Sequence, residues 1–219
     1  MTDFQEFLEG LQRDMPSISK HPLDFALDLP RPSDGLIVEC GVYRGGSITR
    51  IALTTKDVVY GFDSFEGLPE SWERPDMEFD KGAFNLDKRM PQVPPNVRLI
   101  AGWFDKTLPV FADEHKGEKI GFLHIDCDIY SSTKCIFDTL GPMFQDGTIL
   151  VFDELVNYPT YERNEVKALH EFIRDHDEYE IVWLGKLGRV NLKPERDIGP
   201  ADQAVACRLV KRKDRKRVL

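Results

Sequence analysis

Long apolar segments are missing from this sequence. No run approaches the ~20 consecutive apolar residues that a membrane-spanning helix needs. The first residues, Met1 to Glu6, also lack the basic and apolar regions of a signal peptide. We therefore expect a cytoplasmic protein that has no membrane partner.

Cysteine is scarce as well, with four residues at positions 40, 127, 135 and 207. They form no C-x-x-C pair, and at least three lie in stretches that have the composition of a buried core. Reduced thiols are therefore expected rather than a disulfide framework. The same spacing argues against a structural zinc site.

Positive charge is in deficit. Lysine and arginine contribute 29 residues against 38 aspartates and glutamates, for a formal net charge of -9. Phosphate binding needs clustered positive charge, so this balance argues against a nucleic-acid partner. The exception is a basic tail, residues 211–219, which is rich in lysine and arginine. A solvated tail is the simplest interpretation, and contact with RNA, an anionic surface or an import receptor is the alternative.

The residues that are present suit one ordinary globular domain. The 219 residues are 41% hydrophobic and 31% charged, which fits a single domain over residues 1–219. Short β-branched or aromatic runs alternate with longer amphipathic segments, the pattern of βα units around a parallel sheet. The predicted strands are residues 36–40, 58–62, 97–100, 120–125, 148–152, 179–184 and 203–210.

The predicted helices lie between these strands. They cover residues 46–54, 106–114, 131–143 and 161–176, and residues 1–33 form an N-terminal helical segment. The last two strands follow each other without a helix, which suggests an antiparallel pair at one sheet edge. The sequence thus predicts an α/β fold with a seven-stranded, mostly parallel sheet, one antiparallel edge strand and helices on both faces.

Residues 70–96 interrupt this pattern with several prolines and charges. An irregular segment of this length is typically a lid or a disordered insertion. Trp72, Phe79 and Phe84 offer apolar surface that could close over a ligand, so we interpret the segment as a lid-like insertion. The alternative is a loop that only packs on the domain. Exposed aromatic side chains would also suit a homodimer.

Acidic residues lie at the ends of the predicted parallel strands. Asp63, Asp126 and Asp153 each follow or end a strand, and Glu39 lies one residue before the end of the first strand. A single aspartate at such a place is often a turn or cap residue. The carboxyl ends of parallel strands, however, meet in one crevice, where such sheets bind ligands. We therefore expect these four acids to converge on a binding site.

A glycine turn connects the first strand to its helix. Gly41, Gly45 and Gly46 permit positive φ and close approach of the backbone to a ligand. Tyr43 occupies the place of a glycine in the dinucleotide-binding motif, which disfavours a pyrophosphate there. Asp63 follows near the ~20-residue offset at which an acid binds a ribose diol. These residues predict a ribose-bearing ligand, and tight packing without a ligand is the alternative.

Five sequence blocks occur in order along the chain: ECGVYRGGS, YGFDSFEGLPE, GWFDKTLP, LHIDCDIYSSTK and VFDELVNYP. Together they resemble the macrocin O-methyltransferase family of class I methyltransferases. This resemblance implies a Rossmann-like methyltransferase fold with a seven-stranded sheet. It also implies an enzyme that transfers a methyl group from S-adenosylmethionine to a hydroxyl of a small molecule of sugar or natural-product type.

The resemblance assigns cofactor-binding positions in this sequence. It assigns the methionine part of S-adenosylmethionine to Glu39, Gly41, Tyr43, Gly45, Gly46 and Ser47. It assigns the ribose to Asp63 and Ser64, and the surroundings of the adenine to Gly102, Trp103 and Phe104. Asp126 is expected to contact the cofactor as well. Aromatic residues such as Trp103 and Phe104 suit stacking on a base but are as often core residues.

The resemblance also implies a divalent ion, since family members that methylate sugar hydroxyls hold one in an acidic cluster. The matching positions are Asp126, Asp153 and Glu154, whose oxygen ligands suit Mg²⁺. Asp126 is in addition the candidate general base, with Asp128 as the second candidate. In the alternative without metal, Asp153 and Glu154 cap a helix and contact Arg163.

Other functions remain compatible with these residues. The same scaffold could methylate nitrogen, or it could bind S-adenosylmethionine or another nucleotide without catalysis. An NAD-linked oxidoreductase is a third alternative, although no catalytic pair for hydride transfer is evident. His124 is either a proton relay or a core histidine, and Tyr130 is a candidate for the acceptor pocket.

Overall fold

The computed structural model describes residues 2–74, 77–197 and 199–212. Residues 213–219, most of the predicted basic tail, lie outside the described residues. Within the described ranges, no helix is both long enough and apolar enough to cross a membrane. The α-helices are α1 (Asp3–Asp14), α2 (Pro22–Leu27), α3 (Gly46–Leu53), α4 (Phe104–Glu114), α5 (Tyr130–Leu140) and α6 (Glu165–Asp175).

The strands alternate with these helices along the chain. They are β1 (Ser17–Ile18), β2 (Leu36–Cys40), β3 (Val59–Asp63), β4 (Trp72–Arg74), β5 (Met77–Phe79), β6 (Val97–Ala101), β7 (Ile120–Ile125), β8 (Phe144–Phe152), β9 (Tyr179–Leu187) and β10 (Val205–Lys211). Short 3₁₀ turns occur at Gly141–Met143, Tyr161–Arg163 and Pro200–Asp202.

Eight strands form one sheet in the order β1-β9-β10-β8-β7-β2-β3-β6. The run from β8 through β7, β2 and β3 to β6 is parallel throughout, which confirms the predicted α/β, Rossmann-like fold. The sheet has one strand more than predicted, because the two-residue β1 pairs in parallel with β9. A strand of two residues is too short to show any hydrophobic pattern.

The antiparallel strand is not at the edge of the sheet, and this part of the prediction is wrong. β10 runs antiparallel between β8 and β9. Val205, Ala206 and Cys207 are fully buried, as expected for a strand that is covered on both faces. β9 has several exposed or half-buried positions, which suits a strand nearer the edge. Chain order predicted the antiparallel pairing but not its place in the sheet.

Helices cover both faces of the sheet, as predicted. Successive residues of a strand point to opposite faces, so Val38 and Cys40 of β2 pack in one core cluster while Ile37 packs in another. The larger cluster receives the apolar faces of α1, α4, α5 and α6, and the smaller one those of α2 and α3. Burial of each such aliphatic side chain contributes about 1.5–3 kcal/mol to stability.

Residues 70–96 contain a hairpin that the sequence did not predict. In the antiparallel pair of β4 and β5, Trp72 lies opposite Phe79, and the two rings stack with centroids 5.3 Å apart. Trp72 is 4% exposed and belongs to the larger core cluster. The backbone N–H of Leu68 donates to the carbonyl of Ala83 over 2.9 Å, which folds the segment back on the chain before it. Stacked aromatic side chains therefore organise a segment that its prolines had suggested to be irregular.

Candidate functional site

A cavity of about 640 Å³ lies at the carboxyl ends of the parallel strands. This volume is within the ~300–1,000 Å³ range of sites for drug-sized ligands. Of the four acids expected to converge there, Asp63 and Asp126 line the cavity, whereas Glu39 and Asp153 do not. The predicted site residues that line the cavity are Gly41, Tyr43, Asp63, Ser64, Gly102, Trp103, Phe104, Asp126, Asp128 and Glu154.

Asp63 holds the glycine turn in place. Its Oδ2 atom accepts hydrogen bonds from the backbone N–H groups of Val42 (2.9 Å) and Tyr43 (2.7 Å). Its Oδ1 atom accepts one from the N–H of Phe65 over 2.6 Å. Hydrogen bonds to a charged acceptor are stronger than neutral ones. A carboxylate has about four acceptor sites, so Asp63 can shape the turn and still accept from a ligand.

Gly41 is required by the protein itself. It has a φ of 95°, and a Cβ atom there would lie 1.7 Å from the carbonyl oxygen of Asp126. The ends of β2 and β7 are joined at this point by a hydrogen bond from the N–H of Asp126 to the carbonyl of Cys40, 2.9 Å long. Tight packing of two strand ends, which the sequence left open as the alternative, therefore explains Gly41. Tyr43, with a φ of 47°, is held in the left-handed region beside it.

The end of β6 supplies another wall of the cavity. Gly102 has a φ of 143°, and its N–H donates to the carbonyl of Asp63 over 2.9 Å. Trp103 is the residue that precedes α4, and Phe104 begins that helix. Both aromatic residues line the cavity, so their predicted position beside a ligand is compatible with the fold.

Three carboxylates of the cavity wall lie close together. Asp126, Asp128 and Glu154 each offer an oxygen, and these oxygens lie within 4.8 Å of one another. Burial, and then the charge of Asp153, raises the pKa of Asp128 to about 7. The same two causes raise the pKa of Asp126 and Glu154 well above the ordinary range. Among the described residues, Oε2 of Glu154 is buried and has no hydrogen-bond partner.

Asp153 is not part of this cluster, although the resemblance assigned it to the metal. Its Oδ1 atom lies 3.9 Å from Nε2 of His124. Burial raises the pKa of Asp153, but the nearby imidazole outweighs it and the net pKa is lowered. Burial by itself lowers the pKa of His124, but Asp153 and Glu39 outweigh it and raise the net pKa to about 10. The structure therefore places Asp153 in an ion pair with a charged histidine.

Several other predicted residues do not line the cavity. Glu39 is fully buried behind it, where its Oε1 atom lies 2.8 Å from Nδ1 of His124. Tyr130 also lies outside the lining, and its hydroxyl donates to Glu171 over 2.7 Å. Arg163 pairs with Glu73 rather than with Asp153 or Glu154. The turn residues outside the lining are Gly45, Gly46 and Ser47.

Sequence reasoning missed the part of the cavity wall around Arg74. Arg74 of β4 forms an ion pair with Asp197, and its two terminal nitrogens each donate to Oε1 of Gln203 over 3.3 Å. The guanidinium lies 4.3 Å from the ring centroid of Trp72 and 4.5 Å from that of Tyr158. Arg74, Asp197 and Gln203 all line the cavity. No local pattern could join residues that are so far apart in the chain.

Comparison with known proteins relates the chain to one enzyme class. Residues 38–155 match the model of a family described as a methyltransferase domain. The chain is 30% identical over 141 residues to the 8-demethyl-8-(2,3-dimethoxy-alpha-L-rhamnosyl)-tetracenomycin-C 4'-O-methyltransferase of Streptomyces olivaceus. That alignment covers 55% of this chain and 52% of the relative, so the chain spans about half the length of the relative it matches.

Solved structures share the fold. The calicheamicin methyltransferase CalS11 superimposes with a TM-score of 0.57 at 20% identity, over 94% of this chain and 91% of that one. An O-methyltransferase from Bacillus cereus, in complex with S-adenosylhomocysteine, gives a TM-score of 0.52 at 16% identity, over 96% and 92% of the two chains. At these identities the similarity shows the fold alone.

Proposed function

The chain belongs to the methyltransferase-domain family, and on this premise we propose that it transfers the methyl group of S-adenosylmethionine to a hydroxyl of a small molecule. The observation that carries the proposal is the group of Asp126, Asp128 and Glu154 in the wall of a partly aromatic cavity. An acceptor hydroxyl must lose its proton, and carboxylates can take it. Methylation of nitrogen would need no such group.

The cofactor would occupy the side of the cavity formed by the glycine turn and the ends of β3 and β6. There Asp63 would accept a hydrogen bond from the ribose, and Trp103 and Phe104 would lie against the adenine. Support comes from the position of all three in the cavity wall. Glu39 is buried behind the wall, so it would act on the cofactor only through other groups and not by direct contact.

Methyl transfer from a sulfonium is an in-line displacement. The acceptor oxygen attacks the methyl carbon, the carbon–sulfur bond breaks, and S-adenosylhomocysteine leaves as a neutral thioether. The protein must mainly orient the acceptor and take its proton. Asp128 is the better base, because a pKa of about 7 leaves it partly ionised at neutral pH. Asp126, with its pKa raised well above the ordinary range, would be protonated there, so the order of the two candidates is reversed.

The three carboxylates also fit a divalent ion such as Mg²⁺. They supply hard oxygen ligands close together. Among the described residues, the buried Oε2 of Glu154 has no hydrogen-bond partner and is therefore available as a metal ligand. Such an ion, when bound, would orient the acceptor hydroxyl and lower its pKa. Asp126, Asp128 and Glu154 would hold the ion. Asp153 is the alternative third ligand.

The acceptor would be a sugar or natural-product glycoside, as in the name of the tetracenomycin enzyme, which acts on a rhamnosyl compound. The same proposal includes that this chain is a member of the macrocin O-methyltransferases within the wider methyltransferase family. Residues 70–96 would act as a lid, since Trp72, Phe79 and Phe84 line the cavity from that segment.

Calorimetric titration with S-adenosylmethionine and S-adenosylhomocysteine, with and without Mg²⁺, tests the cofactor before any acceptor is known. We expect saturable binding of both compounds, followed by methyl transfer to a rhamnoside acceptor in a radiolabel assay. Absence of binding under every condition would refute the proposal. Binding without transfer to any hydroxylated acceptor would favour the non-catalytic alternative.

A further inference from the structure

One wall of the cavity is formed by residues 68–74 and 77–83, which we call the flap. It supplies to the lining Leu68, Pro69, Trp72, Arg74 and Phe79. The flap leaves the domain and returns to it through a narrow neck. There the N–H of Leu68 donates to the carbonyl of Ala83 and the N–H of Gly82 donates to the carbonyl of Leu68, each over 2.9 Å. A compact segment whose two ends lie together can move as a unit.

Several polar contacts between the flap and the rest of the domain lie at the surface. Oε2 of Glu73 lies 3.1 Å from a guanidinium nitrogen of Arg163, and the two side chains are 75% and 74% exposed. The carbonyl of Glu73 accepts from the hydroxyl of Thr160, and Glu70 accepts from the hydroxyl of Ser131, again at exposed positions. Water competes for such exposed contacts, so they hold the flap weakly.

The contact that Arg74 makes is buried instead. Its side chain is 4% exposed and forms an ion pair with Asp197, which is 11% exposed. Both terminal nitrogens of Arg74 donate to Oε1 of Gln203, and Nε2 of Gln203 donates in turn to Oδ1 of Asp197. The rings of Trp72 and Tyr158 lie against the guanidinium. Separating a buried, charge-assisted network is costly, so Arg74 holds the flap more firmly than the surface contacts do.

The partners of this guanidinium belong to a part of the domain that is itself fixed. Gln203 is 1% exposed, and Asp202 beside it accepts from Nζ of Lys186 over 3.1 Å and from Nδ2 of Asn157 over 2.6 Å. The side chain of Lys186 is fully buried. These contacts tie the partners to β9 and to the segment after β8, which leaves the flap as the side that would move if the bridge opened.

The far side of the flap reaches the glycine turn. Phe79 stacks on Phe84 with 5.2 Å between ring centroids, and Tyr43 meets Phe84 edge-on at 5.6 Å. Phe79 also stacks on Trp72, against which Arg74 lies. The flap and its aromatic contacts therefore extend from Arg74 to the turn that borders the proposed cofactor side. Opening at Arg74 would uncover both sides of the cavity.

We propose that Arg74 is a positioning residue that latches the flap: its bridge to Asp197 and Gln203 keeps the cavity closed, and ligands enter and leave only when the bridge is broken. The inference rests on the proposed methyltransferase function for the identity of these ligands. It goes beyond a lid-like role of this segment, because it names the contact that controls exchange. A closed cavity also keeps water away from the reacting groups.

Fluorine NMR of the full chain tests the latch without any ligand. The sequence contains three tryptophans, Trp72, Trp103 and Trp183, so labelling with 5-fluorotryptophan gives three resonances that single substitutions to phenylalanine assign. Trp72 is 4% exposed, and its resonance should shift little between H₂O and D₂O. In Asp197→Asn this solvent shift should grow about twofold or more, while that of Trp183 on β9 should not change. An unchanged solvent shift of Trp72 would overturn the inference.

Stopped-flow kinetics with S-adenosylhomocysteine test ligand exchange. In Asp197→Asn both association and dissociation should become about tenfold faster, because a gate limits the two directions alike. Faster dissociation alone would indicate a lost ligand contact, and unchanged rates would indicate no gate; either result would overturn the inference. Glu73→Gln removes a carboxylate from the same flap at an exposed site outside the lining. As the matched control, it should change the rates by less than about twofold.

A wild-type protein that binds no S-adenosylhomocysteine would refute the proposed function, and the NMR result alone would then decide the latch. Arg74 and Asp197 should also act as one unit. The double variant Arg74→Met/Asp197→Asn should exchange ligand no faster than Arg74→Met, because either change already breaks the bridge. Effects that multiply in the double variant would contradict the latch.

A milder variant covers the case in which Arg74→Met does not fold. Arg74→Lys keeps the charge beside Asp197 but loses the contact of two nitrogens with Gln203. Its exchange rates should lie between those of the wild type and Asp197→Asn. Rates equal to those of the wild type would show that the bridge to Gln203 does not hold the flap, which would overturn the inference.

Discussion

Nδ1 of His124 on β7 lies 2.8 Å from Oε1 of Glu39 on the neighbouring β2, and both side chains are fully buried. The other nitrogen of the same ring faces Asp153. With a pKa of about 10, His124 is charged at neutral pH, so a cation lies between two carboxylates directly behind the cavity. This arrangement gives Glu39 a structural role that the sequence did not reveal.

We expect Glu39→Gln to destabilise the fold by about 1–3 kcal/mol, because it removes one of the two carboxylates that face the buried His124. Urea unfolding monitored by circular dichroism measures this change, with the exposed Glu9→Gln as control. A loss below about 1 kcal/mol, together with weaker binding of S-adenosylhomocysteine, would instead support direct contact between Glu39 and the cofactor.

Asp63→Ala should weaken the binding of S-adenosylhomocysteine by about 10–100-fold, since a hydrogen bond to a charged group contributes roughly 1.5–3 kcal/mol. The variant also frees the N–H groups of Val42 and Tyr43, which shape the turn. Calorimetry measures the affinity. Asp57→Ala, two residues before the start of the same strand and outside the lining, is the matched control. Unchanged affinity in Asp63→Ala would exclude the proposed ribose site.

Asp128→Asn should weaken the binding of Mn²⁺, used as a paramagnetic probe for the Mg²⁺ site, more than Asp153→Asn does. Asp128 belongs to the cluster of close carboxylate oxygens, whereas Asp153 pairs with His124. Electron paramagnetic resonance titration at two pH values checks this, and the affinity should rise with pH because the ligands must lose protons. The reverse order of the variants would show that Asp153 leaves His124 to bind the ion.

Glu165→Gln should remove part of the pH dependence of stability. Glu165 is fully buried, and burial, followed by the charge of Asp128, raises its pKa well above the ordinary value. Above about pH 4.5 the unfolded chain releases this proton while the folded protein keeps it, so stability falls as the pH rises.

Thermal unfolding at several pH values between about 5 and 8 measures this slope. The slope should be shallower in Glu165→Gln and unchanged in the exposed Glu180→Gln. Identical slopes in wild type and Glu165→Gln would mean that Glu165 ionises normally in the folded protein.

The architecture could be predicted because its signals are local. Each parallel strand carries its own run of apolar residues, and acids lie at the ends of β3 and β7, so Asp63 and Asp126 reach the cavity once the strands are parallel. The order of β9 and β10 has no such signal. The pattern of β10 predicts a buried strand. Only its packing against β8 decides that β10 lies between β8 and β9.

The cavity shows the same division. Sequence alone determined the fold class and the crevice at the strand ends, because these depend on hydrophobic spacing and on residues next to strand ends. The tertiary structure decided which carboxylates meet, directing Asp128 into the cluster and Asp153 toward His124. It also joined Arg74 to Asp197. Side-chain direction and contacts between distant segments depend on packing, which no local sequence pattern encodes.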